Sequence, residues 1–119
     1  QRFTINQEGQ DLIIRSVQTG GALQAHDGLF HQHEGKGKIR EEQFTNAPSQ
    51  RWRIRKAHNH HNQYFIVNVH DGKCLDVEGG NNSNNNRVIV YPFHGGKNQM
   101  WSIVPSGPGQ NKLPNQSWW

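Results

Sequence analysis

Residues 87 to 104, RVIVYPFHGGKNQMWSIV, crowd several polar-capable side chains around one glycine pair: Tyr91, His94, Asn98 and Gln99 flank Gly95 and Gly96. Tyr91 offers a flat apolar ring with a polar tip. Asn98 and Gln99 each donate and accept hydrogen bonds, as neutral histidine does through its two nitrogens. Upstream, Asp76 adds a charged acceptor, whose hydrogen bonds contribute roughly 1.5–3 kcal/mol each. This set suits non-covalent recognition of a polar ligand. A catalytic constellation is not visible: no Gly-x-Ser-x-Gly nucleophile motif occurs. The nearest carboxylate to Asp76 is Glu78, two positions along the same strand, and a glycosidase needs its two carboxyls on either side of a bond.

Other groups could also act. His58, His60 and His61 form one cluster, and His31, His33 and Glu34 another. Imidazole binds Zn²⁺ or Cu²⁺, but clusters in polar loops are expected to be solvated turns, so neither metal nor cofactor is expected. Arg51, Arg53 and Arg55 alternate with Trp52 and Ile54, which predicts a basic outer strand face. Solvation is its default state, and contact with an anionic polymer is the sharper alternative.

These side chains need strands to hold them, and the sequence repeats its strand pattern. Gln-x-aromatic-x-Ile occurs as Gln1/Phe3/Ile5, Gln50/Trp52/Ile54 and Gln99/Trp101/Ile103, at a spacing of 49 residues. Residues 12–25 align without a gap on 64–77 at an offset of 52, and 39–52 on 88–101 at an offset of 49. The slip falls in a Gly/Asn/His-rich link, where a loop tolerates it. Each unit predicts four short strands: one around Ile13–Val17 or Phe65–Val69, a second near Leu23 or Leu75 after a glycine turn, a third at 38–42 or 87–91, and a fourth at 51–55 or 100–104. No long stretch shows the 3.6-residue period of a helix.

Bulk properties agree with a thin-cored β-domain. The chain has 119 residues, 31% hydrophobic, with mean hydropathy −0.97 and 13 glycines. One domain spanning 1–119 is expected. Its net charge of +4 and pI of about 9.6 permit an acidic partner without requiring one. The single Cys74 rules out an intrachain disulfide and is expected to be a small buried hydrophobe. No apolar run approaches the roughly 20 residues of a membrane helix, so membrane insertion is not expected, and the weak net charge does not call for nucleic-acid binding either. Asn81-Asn82-Ser83 and Asn115-Gln116-Ser117 are sequons, usable only on a secreted chain, and localisation stays open.

A four-strand repeat of this length closed by Gln-x-Trp, with Leu75-Asp76-Val77 upstream, resembles the ricin-B-type lectin family. The resemblance covers residues 1 to about 105 and implies an all-β, β-trefoil fold. It also implies a non-catalytic sugar site in the second unit for a galactose- or xylose-type glycan. Asp76, Tyr91 and Asn98 fall on the family's sugar-contacting positions, His94 matches a further contact seen in xylanase-attached members, and Gln99 supports Asn98. Asp76 would accept from two adjacent hydroxyls, with little core packing of its own. In the first unit the matching positions hold Gln24, Glu42, Thr45 and Ser49, so that unit is read as scaffold.

The resemblance is incomplete. It yields a leading strand at 1–5, repeat units at about 6–54 and 55–104, and an atypical tail at 105–119 with no strand pattern. A homodimer, or pairing with another chain or segment, is therefore expected, with Trp118 and Trp119 buried. The competing reading is a trefoil interaction domain that binds protein or an anionic polymer through its basic face and histidines, its sugar site vestigial.

Overall fold

Glycine and asparagine turns cut the chain into short strands. The structure, a computed structural model, describes residues 3–26, 36–78, 87–105 and 116–118. Among these residues ten strands run in chain order: β1 (Phe3–Glu8), β2 (Asp11–Ser16), β3 (Ala22–His26), β4 (Gly37–Glu42), β5 (Trp52–Lys56), β6 (Tyr64–Asn68), β7 (Cys74–Val77), β8 (Val88–Tyr91), β9 (Val104–Pro105) and β10 (Gln116–Trp118). Single turns of 3₁₀ helix occupy Pro48–Gln50 and Lys97–Gln99. The all-β class holds, and the sheet closes on itself because β2 pairs with β3 and β5 as well as β1.

The repeat is legible in individual bonds. Leu12 lies opposite Trp52, and at the matching positions Tyr64 bridges Trp101. Arg15 faces Ala22 as Val67 faces Cys74. The turn after β2 is tied by Ser16 N–H to Gly21 O at 2.9 Å and Gly20 N–H to Ser16 O at 2.9 Å; Asn68 with Lys73 and Gly72 with Asn68 repeat both at 2.8 Å. Gly20 and Gly72 sit at φ +77° and +73°, where only a residue without Cβ is unstrained.

Alternation along these strands delivers one apolar face inward. The core collects Ile5, Ile14, Leu23, Trp52, Ile66, Leu75, Val90 and Trp101, all buried. Each indole is also tethered: Trp52 Nε1 donates to Leu23 O at 3.2 Å and Trp101 Nε1 to Leu75 O at 3.1 Å. A buried Trp thus satisfies its one polar atom while filling the volume that a chain poor in apolar residues must fill.

Three expectations need correction. The leading strand runs on to Glu8 rather than stopping at Ile5. The second unit forms no continuous strand over 100–104; Trp101 makes an isolated bridge, and pairing resumes at Val104–Pro105. The tail does contain a strand, since β10 pairs antiparallel with β1 (Phe3↔Trp118) and with β9 (Gln116↔Pro105). The free edge of β1 carries unpaired backbone groups that any nearby extended segment can satisfy, a demand that no local pattern in 105–119 announces. The expected burial of the Trp118 and Trp119 side chains lies outside the described residues, as does the His31/His33/Glu34 cluster.

The basic strand face is also less solvated than its sequence suggests. Arg51 Nε meets Asp11 Oδ2 at 2.7 Å and Arg53 Nε meets Oδ1 at 2.7 Å. These two bonds, that of Arg51 first, hold the Asp11 carboxyl below the usual carboxylate range despite partial burial. Arg51 further donates to Glu8 O and to the Asn46 side chain. Two of the three arginines are therefore spent on joining the β1–β2 hairpin to β5.

Trp52→Ala and Trp101→Ala are each expected to cost roughly 3–5 kcal/mol, the range for deleting a buried large aromatic. Urea denaturation of both variants checks this, and unchanged midpoints would remove the two indoles from the core.

Candidate functional site

At the centre of the second unit is a buried side-chain amide. Gln99 is wholly buried and makes four hydrogen bonds. Its Oε1 accepts from the backbone N–H of His94 at 3.0 Å and of Gly95 at 3.3 Å, and its Nε2 donates to Pro92 O at 3.0 Å and Asp76 Oδ2 at 2.9 Å. Every donor and acceptor of the amide is thereby used. The 92–95 loop is shaped around Gln99, and Asp76 is fastened to it from the neighbouring strand. With no atom exposed, Gln99 shapes this loop from beneath.

Asp76 is deeper than its sequence position suggests. It is buried, its Oδ1 accepts from Asn98 Nδ2 at 3.0 Å, and His94 Nε2 lies 3.5 Å from Oδ2. Asn98 Nδ2 also reaches Val77 O at 3.3 Å. The expectation of little packing is corrected: β7 buries Cys74, Leu75 and Asp76 in succession, and the carboxylate offsets its desolvation with these charge-assisted bonds. Tyr91, at the end of β8, is exposed, and its ring stands 6.0 Å from that of His94 at an interplanar angle of 69°. Asp76, His94, Asn98 and Gln99 therefore converge in one bonded cluster, and Tyr91 joins through the His94 ring.

The first unit builds the same frame with different contents. Gln50 Oε1 accepts from the N–H groups of Thr45 at 2.8 Å and Asn46 at 3.1 Å, and Nε2 donates to Gln43 O at 2.8 Å and Gln24 Oε1 at 2.9 Å. Gln24 thus replaces Asp76 as an uncharged acceptor. Asn46, at φ +66°, takes the left-handed position that Gly95 holds at φ +77°. The next residue separates the units: Ala47 in the first, Gly96 in the second. A Cβ on Gly96 would come within 2.6 Å of His94 Cε1 and 2.9 Å of Asn98 Oδ1. The missing methyl lets the His94 ring fold back, so that Nδ1 accepts the Gly96 N–H at 3.0 Å.

The remaining candidates sort themselves by their partners. Glu78, the only carboxylate near Asp76 in sequence, pairs with Lys36 and lies 3.4 Å from Arg87; these cations, Lys36 first, hold its carboxyl below the usual range. It therefore does not face Asp76 across a cleft. Among the described residues no group of three His, Cys, Asp or Glu could hold a metal ion, and His58, His60 and His61 lie exposed in the β5–β6 turn. Cys74 is buried, and burial, reinforced by the charge of Asp76, pushes its thiol up to about 11, so it stays protonated and inert at neutral pH. One feature escaped the sequence reading: Phe93 is 61% exposed beside His94. Its signal was present, since Phe44 stands 49 residues before it.

Comparison with known proteins gives a consistent result. A family model described as "Ricin-type beta-trefoil lectin domain-like" matches residues 48–117. The main hemagglutinin components type C and type D, from Clostridium botulinum C and D phages, are each 36% identical over 62 residues, or 51% of this chain. The chain spans only 22% of the length of those relatives. Among solved structures, a designed threefold-symmetric protein, ThreeFoil, matches with a TM-score of 0.66 at 26% identity, covering 91% of this chain and 67% of that one. An exo-β-1,3-galactanase from Clostridium thermocellum matches with a TM-score of 0.70 at 21% identity, covering 84% of this chain and 21% of the galactanase; at that identity it attests the fold alone.

The Gly96 contact is open to direct test. Gly96→Ala is expected to keep the fold, because Ala47 occupies the equivalent place, while displacing His94 and Asn98. Proton NMR should show the His94 ring resonances moving strongly, with a melting temperature within a few degrees of the parent; unmoved His94 signals would mean the methyl is accommodated without cost.

Proposed function

This chain belongs to the ricin-type β-trefoil lectin family, and we propose that it is a non-catalytic carbohydrate-binding module with its sugar site in the second unit. Family membership and the hemagglutinin relatives support carbohydrate binding in general. The observation that carries the finer reading is the contrast between the units. One buried-glutamine frame is built twice, and only the second surrounds it with a carboxylate, a histidine, a carboxamide and an exposed aromatic.

In this reading Tyr91 faces the apolar C–H side of a galactose- or xylose-type ring. Asn98 and His94 meet hydroxyls at the rim. Asp76 forms the floor beneath His94, whose ring is 42% exposed against 3% for the Asp76 side chain. A hydroxyl reaches Oδ2 by moving the His94 ring aside, a rotamer change that exposed side chains make in ps–ns. Gln99 holds the loop and the carboxylate in place throughout. A single site of this kind binds a monosaccharide at about 0.1–1 mM.

The competing basic-face reading loses ground, because Arg51 and Arg53 already share Asp11. We propose association with a second copy or another segment at β9, which among the described residues ends the sheet with β10 on one side only; light scattering giving a monomer of 13.6 kDa at all concentrations would exclude self-association.

Tyr91→Ala and His94→Ala are expected to abolish galactose or xylose binding by calorimetry without large changes in thermal stability. Thr45→Ala, at the first-unit position matching His94, should leave binding intact. Asp76→Ala should abolish binding and also destabilise the fold by roughly 1–3 kcal/mol, since it strands the amide donors of Gln99 and Asn98. Parent-like binding by both Tyr91→Ala and His94→Ala would place any site elsewhere.

A further inference from the structure

Beside the proposed sugar site lies a second groove of about 650 Å³, lined by Arg55, Lys56, His58, Phe65, Val67 and Phe93 among others. Phe93 belongs to the same loop as His94, so the groove and the site share a wall. The Phe93 ring meets Phe65 edge-on, with centroids 5.0 Å apart and planes at 88°, and remains 61% exposed. The open ring thus gives the groove an apolar wall beside a polar site, the mix of surfaces that small-ligand sites use.

The first unit shows what this groove looks like when it is self-satisfied. The equivalent depression lies against Arg15, Gly20, Glu41 and Phe44. There the Arg15 guanidinium lies 4.5 Å from the centroid of the Phe44 ring and donates to Gly20 O at 2.9 Å. The aromatic is covered by the chain's own cation, and the walls carry Glu41 and Glu42. In the second unit Val67 replaces Arg15, Val90 and Tyr91 replace the two glutamates, and Arg55 and Lys56 stand where β1 has Asn6 and Gln7. The substitutions uncover the ring, remove the carboxylates and add two cations. Arg55 lies directly across from Phe65 in the β5–β6 ladder. Unlike Arg51 and Arg53, neither Arg55 nor Lys56 has a carboxylate partner among the described residues.

We propose that this groove is a subsite for a hexuronic acid residue linked to the sugar held at Asp76, so that the ligand is an acidic oligosaccharide. The proposal rests on the sugar-site reading above. A pyranose ring lies on Phe93, and its C6 carboxylate takes the forked donors of Arg55, with Lys56 adding field and His58 lining the same groove. Arginine matches a planar carboxylate with two parallel N–H···O bonds, and the apolar ring beside it lowers the local dielectric that would otherwise screen the pair. The charge pattern fits an anion on a sugar ring better than a wholly apolar occupant, which would leave both cations facing carbon.

The experiment uses the whole chain and matched pairs of galactosides and xylosides, in which the neighbouring hexose is either neutral or oxidised at C6 to the uronate. Both linkage orders are presented on an array, and the hits are titrated by calorimetry. The uronate member is expected to bind about tenfold tighter at low salt, an advantage that 0.5 M NaCl largely erases. The double variant Arg55→Gln with Lys56→Gln should lose that advantage while binding the neutral member as the parent does, which also shows that the variant is folded; Phe93→Ala, which removes the platform shared by both rings, should weaken both members of the pair. Neutral sugars bound with no preference for the uronate, or a preference that survives the double variant, would overturn the subsite alone. No binding of any neutral sugar by the folded parent would overturn the Asp76 site and the subsite with it.

Discussion

The structure turns on burying one primary amide per unit. An amide placed out of water without partners costs about 1–3 kcal/mol by mutational measures, so Gln50 and Gln99 are tolerable only where four backbone or side-chain groups converge on each. That demand works as a template. Whatever residues fill the loop before the 3₁₀ turn, two of their N–H groups and one carbonyl must point at the glutamine. Loop conformation is thereby separated from loop composition. The tryptophan two residues on, with its indole N–H tied to the second strand, fixes the same template to the core. One unit can then carry Thr45, Asn46 and Ala47 and the other His94, Gly95 and Gly96 on a common backbone.

Much of this was legible before any coordinates, and the legible part was the local and periodic part. Spacings of 49 and 52 residues translated directly into paired contacts, Leu12 with Trp52 and Tyr64 with Trp101. The side chains proposed to meet around Gly95 and Gly96 lie close together, because the strand, turn and closing Gln-x-Trp that carry them are contiguous. What was not legible was non-local. Asp11 sits 40 residues from Arg51, and no pattern announced that two arginines would converge on it. β10 forms because β1 has an edge to fill, and Gln-Ser-Trp carries no alternation long enough to declare a strand. The burial of Asp76 follows from β7 being covered on both faces, so three consecutive residues are inside and simple inside–outside alternation fails.

Divergence between the units is concentrated where the frame does not reach. Ile14 and Ile66, Leu23 and Leu75, and Trp52 and Trp101 hold matching core places, whereas the charged Glu41 and Glu42 give way to the uncharged Val90 and Tyr91. Lys36 and Glu78 then link the end of one unit's long connection to the start of the other's. The acidic wall in one unit and the basic wall in the other are solutions to different surface problems on equivalent backbone.

The pairing of β2 has a kinetic meaning. This strand touches β1, β3 and β5, and β5 in turn serves β6, while β10 meets β1 through residues more than a hundred positions apart in sequence. Neither unit owns a complete set of strand partners, so neither can reach its native state ahead of the other. Ordering must be bought with long loop closures before their contacts stabilise anything, although each doubling of loop length adds only about 0.6 kcal/mol. Chains dominated by such distant pairings fold in roughly milliseconds to seconds. The same interdependence makes partial opening unprofitable: releasing β2 unseats three neighbours together, so the molecule should come apart as one cooperative unit and not repeat by repeat.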